Sequence, residues 1–228
     1  MRQSRRSALA LAAIATSVSF ALASPAAAQQ RGKAASAGPA ETVRIAFVDP
    51  LSGPFAPVGQ NQLRAWQTAV EVANAQNWAG GPKFEMVGFD GKGSPQESLT
   101  VLKQIIDQGI RYVVQGNGSG VAIALSDAIT KHNERNPGKE LVYLNYAAVD
   151  PSLTNERCSF WHFRLDVNAD MKMEALTSYM AKNQNIKRVY LINQDYAFGR
   201  SVTAAAKRDL ARKRPDVQIV GEDLHPLG

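Results

Sequence analysis

The sequence predicts an α/β protein: a doubly wound parallel sheet followed by the start of a second one. Three observations carry that reading. Strand-like and helix-like segments alternate from Thr42 to Tyr146 in the order β-α-β-α-β-α-β, a pattern that calls for a parallel sheet with helices on both faces and right-handed crossovers. The Gly- and Pro-rich loops, residues 49–59, 90–94, 116–120 and 146–152, all fall at the carboxyl ends of strands, where such sheets hold their ligands. The alternation lapses after Pro151 and restarts near Ala169. The expected organisation is therefore a first lobe over residues 42–166 and a second lobe beginning at residues 167–228, reached through a crossover near residues 164–168.

In chain order, residues 1–28 are a secretory signal peptide. Arg2, Arg5 and Arg6 precede an apolar run from Ala8 to Ala23, and Ser24-Pro25-Ala26-Ala27-Ala28 forms a small-residue cleavage site before Gln29. That run is too short and wrongly flanked for a membrane span. Ser4-Arg5-Arg6 leaves both the general and the twin-arginine export routes open. Residues 29–41 are small, polar and Pro/Gly-containing, a disordered leader. The chain is thus expected to be exported to the periplasm.

Val43 to Val48 is a strand stopped by Asp49-Pro50, and the loop to Gly59 carries Ser-Gly-Pro and Ala-Pro turns. Leu63, Trp66, Ala69, Val70 and Ala73 line one face of a helix, and Gly80-Gly81-Pro82 follows its end. Lys83 to Phe89 alternates as a strand. Ser94-Pro95-Gln96-Glu97 is a capping box with Pro at the first helical position, and Leu99, Leu102, Ile105 and Ile106 continue the helix to Gly109.

The stretch from Arg111 to Ile129 organises the rest. Tyr112 to Gln115, with Val113 and Val114 adjacent, reads as a strand buried on both faces, and Val121, Leu125, Ala128 and Ile129 mark a helix. Between them Gly116, Gly118 and Gly120 permit close backbone approach, and Ser119 stands where an N-cap would. Free N–H groups and a positive dipole end make such a helix start an anion site, although a Gly-rich turn can also be only a tight connection.

Leu141 to Asn145 is a further strand, and Phe160 to Arg164 a strand-like aromatic run. A helix from Ala169 to Lys182, a strand from Arg188 to Asn193, a helix from Phe198 to Arg212 and a strand from Val217 to Glu222 complete the pattern. The second lobe has too few elements to close a core, and the chain reads as a fragment.

Bulk composition excludes several classes. The formal charge of +6 includes three arginines and no acids from residues 1–28, so the mature charge is 23 − 20 = +3. That excess does not call for nucleic acid; Lys207, Arg208, Arg212, Lys213 and Arg214 read as a solvated helix face. The single cysteine, Cys158, rules out an internal disulfide and a zinc site of the usual Cys/His kind. No cofactor or metal is expected. His132, His162 and His225 lack a Ser or Cys at a nucleophile spacing, and Gly116-x-Gly118-x-Gly120 misses the dinucleotide pattern. The chain is read as a binder and not an enzyme. Asp49, Asp90 and Asp195, all at strand ends, are read as loop caps or the polar edge of a cleft. Trp66 and Trp78 are read as packing, and Tyr146 and Tyr196 as loop residues facing the cleft.

Several runs resemble the type I periplasmic binding proteins, in the leucine/isoleucine/valine-binding group that serves ABC importers. They are Val43-Arg-Ile-Ala-Phe-Val-Asp-Pro-Leu-Ser-Gly-Pro-Phe-Ala-Pro-Val-Gly59, Ser94-Pro-Gln-Glu, Asp107-Gln-Gly-Ile-Arg-Tyr-Val113, Asn145-Tyr-Ala-Ala-Val-Asp-Pro-Ser-Leu-Thr154 and Asn193-Gln-Asp-Tyr-Ala-Phe-Gly199. The resemblance implies two doubly wound lobes joined by a hinge and closing on a small ligand, with the second lobe incomplete here. It implies that the Ser119 hydroxyl and nearby amides at Gly118 and Gly120 hold a ligand carboxylate. It implies that the stretch Ala147, Ala148 and Val149 helps hold the amino group, and that Phe198 packs on the ligand from the second lobe. With Tyr146 and Tyr196 these are the candidate ligand residues.

Departures from the family pattern bear on ligand identity. Val149 stands where the family has a threonine hydroxyl, Val58 replaces an aromatic found in some members, and Gly93 and Gly118 replace a disulfide. The expected function is capture of a small carboxylate, a branched-chain or related amino acid first, and its delivery to the membrane permease subunits of an ABC importer. The alternatives are a receptor's ligand-sensing domain and a binder of aromatic acids or amides.

Overall fold

The computed structural model describes residues 41–226; the proposed signal peptide and all but the last residue of the leader lie outside them. The first sheet has five parallel strands: β1 (Thr42–Asp49), β2 (Lys83–Asp90), β3 (Tyr112–Gln115), β4 (Val142–Asn145) and β5 (His162–Arg164). Their spatial order is β2-β1-β3-β4-β5. The order reverses direction at β1, so the topological switch lies between β1 and β3, which pair through Ile45–Tyr112 to Phe47–Val114.

Strand alternation distributes the core to both faces. Ala46 and Val48 of β1 pack with Val113 and Tyr143 against Leu102 and Ile105 of α2 (Pro95–Asp107) and Leu125 and Ile129 of α3 (Ser119–Arg135). Phe47 and Val114 turn the other way, onto Leu63, Trp66 and Val70 of α1 (Ala56–Ala75). The central strands are hydrophobic on both faces because helices cover both.

Two local expectations need correction. α1 begins at Ala56 rather than after Gly59, so the first loop is shorter than expected, with Pro57 in the first helical turn where a missing N–H costs nothing. The Ser94 cap forms, its hydroxyl accepting from Glu97 N at 3.4 Å, but the Glu97 carboxylate lies 3.6 Å from Lys92 instead of closing a reciprocal box.

The second sheet has two parallel strands, β6 (Arg188–Gln194) and β7 (Gln218–His225), packed with α4 (Ala169–Lys182) and α5 (Ala197–Lys213). Its apolar residues are poorly covered: Ile192 is 68% and Tyr190 51% exposed, whereas Phe47, Val113 and Val114 of the first sheet are at 0%. The basic cluster on α5 is solvated at Lys207, Arg208 and Arg212, which stay about half exposed, and is also paired across to neighbouring elements. Arg208 pairs with Asp170 at 3.2 Å, Lys213 with Glu174 at 2.7 Å, Arg212 with Glu174, and Lys207 with Glu222. Arg214 is buried, donating to the carbonyls of Met180, Asn183 and Ile186 at 2.8, 3.0 and 2.8 Å. These cations tie α5 to α4 and to the turn beyond it, which the heptad-free clustering of charge in the sequence could not reveal.

Candidate functional site

The loops at the carboxyl ends of β1 and β3 meet at the switch point. Asn117 and Gly118 there line a cavity of about 110 Å³ together with Pro50, Phe55 and Gly93, and Gln194 and Tyr196 close it from the second sheet. Of the sequence-predicted residues, Gly118 and Tyr196 line this space. Ser119 is 2% exposed and opens α3, and Gly120 follows it in the first turn. Phe198 sits in the first turn of α5 with its ring centroid 6.0 Å from that of Tyr196.

The N-cap of α3 is Gly118, not Ser119. Gly118 has φ +93°, a left-handed conformation that favours glycine, and no side chain caps the helix. The Ser119 hydroxyl is therefore not committed as a cap, and the helix start keeps its positive dipole end. Gly116 is required for a different reason: a Cβ there would lie 2.5–2.7 Å from three ring atoms of Tyr146.

Tyr146 does not present its hydroxyl to the cavity. Its ring stacks against Phe47 and meets Trp66 edge-on, and its hydroxyl contacts Asp49 Oδ2 and Gln62 Oε1. Ala147, Ala148 and Val149 form a turn held by Asn145. Asn145 Oδ1 accepts from the N–H groups of Ala147 at 3.2 Å and Ala148 at 2.7 Å, and its Nδ2 donates to the Ala148 carbonyl at 2.8 Å. The Val149 carbonyl accepts from Ala169 N at 2.9 Å. Ala148 and Val149 are buried, and this stretch is not part of the cavity lining.

The strand-end acids differ in role. Asp90 caps the first loop, accepting from Leu51 N and Lys92 N at 2.9 Å each and from the Ser52 hydroxyl at 2.5 Å. Asp195 pairs with Arg200 at 2.6 Å. Asp49 caps a loop and is not a cleft edge: it is buried beneath the 116–120 turn, accepting from Asn117 N at 2.8 Å. Burial pushes its carboxyl up to about 6 against the opposing effect of the hydrogen bonds from Tyr146 and Asn117. His162 is packed against Tyr143 and held neutral, its ring pushed down to about 4 by burial and the neighbouring Arg164. His132 is bonded to the Lys139 carbonyl. Cys158 is exposed and free. Among the described residues no group of three or more His, Cys, Asp or Glu is placed to hold a metal, and no helix is long and apolar enough to cross a membrane.

A larger hollow of about 440 Å³ opens at the opposite end of the first sheet, beside Thr42, Arg44, Arg111 and Glu140. It lies at the amino ends of the strands, and its cations are already engaged, Arg111 with Glu140 at 3.2 Å and Arg44 with Glu85 at 3.6 Å. The smaller cavity at the switch point is the candidate site. Sequence reasoning missed Asn117 and Phe55 as lining residues, although both lie in loops it had marked; it missed Gln194, at the end of β6, and Gln62, which sits on a helix face with no signal of its own.

Comparison with known proteins places this geometry. Residues 42–228 match the family described as periplasmic binding protein. The Leu/Ile/Val-binding protein homolog 4 of Brucella abortus is 33% identical over 190 residues, 82% of this chain and 45% of that protein. The crystal structure of a leucine-, isoleucine-, valine-, threonine- and alanine-binding protein from Brucella ovis, in a closed conformation, superposes with a TM-score of 0.69 at 31% identity, covering 83% of this chain and 48% of that one. A solute-binding protein of an ABC transporter from R. palustris, in complex with benzoate, shares the fold with a TM-score of 0.68 at 18% identity, over 82% of this chain and 48% of its own. The chain spans about half the length of the relatives it matches.

Proposed function

The chain belongs to the periplasmic binding protein family, and from that membership we propose that it is the ligand-capturing part of an extracytoplasmic solute-binding protein. Residues 1–28 direct export to the periplasm. Two lobes, divided near residue 166, close on a small carboxylate-bearing solute and deliver it to the membrane subunits of an ABC importer. The observation that carries the reading is the cavity at the β1/β3 switch point, bounded by Asn117 and Gly118 on one side and by Gln194 and Tyr196 on the other. The uncapped start of α3 and the Ser119 hydroxyl are the groups suited to the carboxylate. Relatives named for leucine, isoleucine and valine make a branched-chain amino acid the first ligand to test.

A second ligand class is favoured by the state of the loop acids. Asp49, Asp90 and Asp195 are each engaged by neighbours, and Asp150 accepts from the Ser152 hydroxyl and N–H at 2.6 and 2.9 Å. Among the described residues the cleft loops thus offer no uncommitted acid of this set to an ammonium group. A buried ammonium without partners costs several kcal/mol, so an aromatic or aliphatic carboxylate suits this half of the site as well. Thermal-shift screening of the purified protein against L-leucine, L-isoleucine, L-valine, benzoate and small amides separates the two classes. Stabilisation by at least one carboxylate is the expected result; stabilisation by none, with turnover of a substrate, would sink the reading.

A further inference from the structure

Asp49 is the buried group behind the turn that ligand capture leaves unexplained. It is 2% exposed, and the groups bonded to it are neutral: Asn117 N–H, Gln115 Nε2 at 3.5 Å and the Tyr146 hydroxyl. From β4, Tyr143 also faces this cluster, its hydroxyl donating to Gln115 Oε1 at 2.5 Å. From β2, the register partner is Asp90, whose carboxylate is taken up by Ser52, Leu51 and Lys92. From α1 comes the neutral Gln62. Among the described residues the cluster contains no cation to offset an ionised Asp49.

The hydrogens can be counted. Asp49 Oδ2, Tyr146 Oη and Gln62 Oε1 form two consecutive oxygen–oxygen contacts, and Tyr146 brings one hydrogen for two acceptors. Asn117 Nδ2 donates to Gln62 Oε1 and lies 3.2 Å from Tyr146 Oη, so it does not fill the Asp49–Tyr146 contact. With Asp49 ionised, Tyr146 donates to Asp49, and the second contact is filled only if the Gln62 amide turns to present Nε2 to Tyr146 and the Asn117 amide turns with it. With a proton on Oδ2, Asp49 donates to Tyr146, Tyr146 donates to Gln62, and both are filled. Oδ1 accepts the Asn117 N–H in either state.

We propose that Asp49 is the positioning residue of the 116–120 turn and a proton site. Uptake of one solvent proton on Oδ2 leaves a neutral, fully hydrogen-bonded Asp49–Tyr146–Gln62 chain behind the turn, and its release places a negative charge there. Burial sets the exchange near pH 6. The consequence for affinity rests on the carboxylate reading above: a like charge behind the turn disfavours a bound anion, so a carboxylate binds more tightly on the acid side of the midpoint and takes up a proton as it binds.

The test is a pH series by nuclear magnetic resonance on the ligand-free protein, spanning pH 6 on both sides. The Asn117 and Gly118 amides and the Asp49 carboxyl carbon should move with one common midpoint, and Asp49→Asn should abolish the motion of the amides. Tyr146→Phe, which removes a hydrogen bond to the ionised form, should raise the midpoint, and it carries the test if Asp49→Asn does not fold. Amides that stay still in the native protein, that move alike in Asp49→Asn, or whose midpoint Tyr146→Phe leaves unmoved overturn the proposal. Calorimetry with benzoate and L-leucine forms the second arm. Benzoate affinity should fall severalfold from the acid to the alkaline side, and a flat profile for bound benzoate overturns the charge coupling. If neither probe binds while the amides titrate, the proton site stands and the solute-capture reading fails.

Discussion

The Tyr146 ring occupies the space a side chain at residue 116 would need: a Cβ on Gly116 would fall 2.5 Å from Tyr146 Cζ. A loop residue at the end of β4 thereby fixes the identity of a loop residue at the end of β3, and together they shape the floor of the turn that opens α3. Gly116→Ala should therefore destabilise by roughly 1–3 kcal/mol, the usual range for overpacking a closed site. Urea denaturation measures it, and a midpoint equal to that of the native chain would mean that the ring has room to move.

Stability should also carry a pH signature of Asp49. Its carboxyl titrates at about 6 in the folded chain against an ordinary 3.8. Between those values the folded protein binds one proton more than the unfolded one, so the stability contributed by this group is fully present below the unfolded value and is lost as pH rises through the folded one. The loss is on the order of 3 kcal/mol from a shift of about two units. Other carboxylates have the opposite sign, Asp90 among them, since its hydrogen bonds hold it low. The readout is therefore the difference between native and Asp49→Asn chains in denaturant titrations across that window, which should shift in favour of the variant as pH rises.

Asn145 holds the 146–149 turn with both ends of its amide. Asn145→Ala strands the buried N–H and carbonyl of Ala148, at a cost of about 1–3 kcal/mol. Thermal unfolding checks the cost, and Asn145→Asp, which sets a buried carboxylate oxygen against the Ala148 carbonyl, should cost at least as much.

Export can be read from mass alone. Protein recovered from the periplasmic fraction should begin at Gln29, following cleavage after Ala28. An intact Met1 in that fraction would contradict the signal assignment.

The first lobe was legible because its information is local and periodic. Val113 and Val114 announce a strand covered on both faces, and Leu125 and Ile129 the helix that covers one of them. The switch-point loops were legible for the same reason, as Gly and Pro punctuate strand ends. What was hidden depends on pairing across the fold. Nothing in the local sequence says that Asp49 lies under Asn117 rather than at a cleft edge, since the two are 68 residues apart. The same holds for Tyr146, whose phenol could equally have served a ligand, and for the cations of α5, whose partners Asp170 and Glu174 lie on a different helix. Three-residue β5 was visible only as an aromatic run, because its pairing with β4 and not its own pattern makes it a strand.

In the proposed function the Ser119 end of the turn receives a carboxylate. Ser119 makes no capping hydrogen bond, so Ser119→Ala should leave thermal stability nearly unchanged. The decisive measurement is the calorimetric dissociation constant of the best-stabilising carboxylate in native and Ser119→Ala proteins. Loss of a buried hydrogen bond to a charged group should weaken binding by about 1–3 kcal/mol, roughly a 5- to 150-fold rise in the constant. An unchanged constant would remove Ser119 from the site and contradict the proposed carboxylate contact.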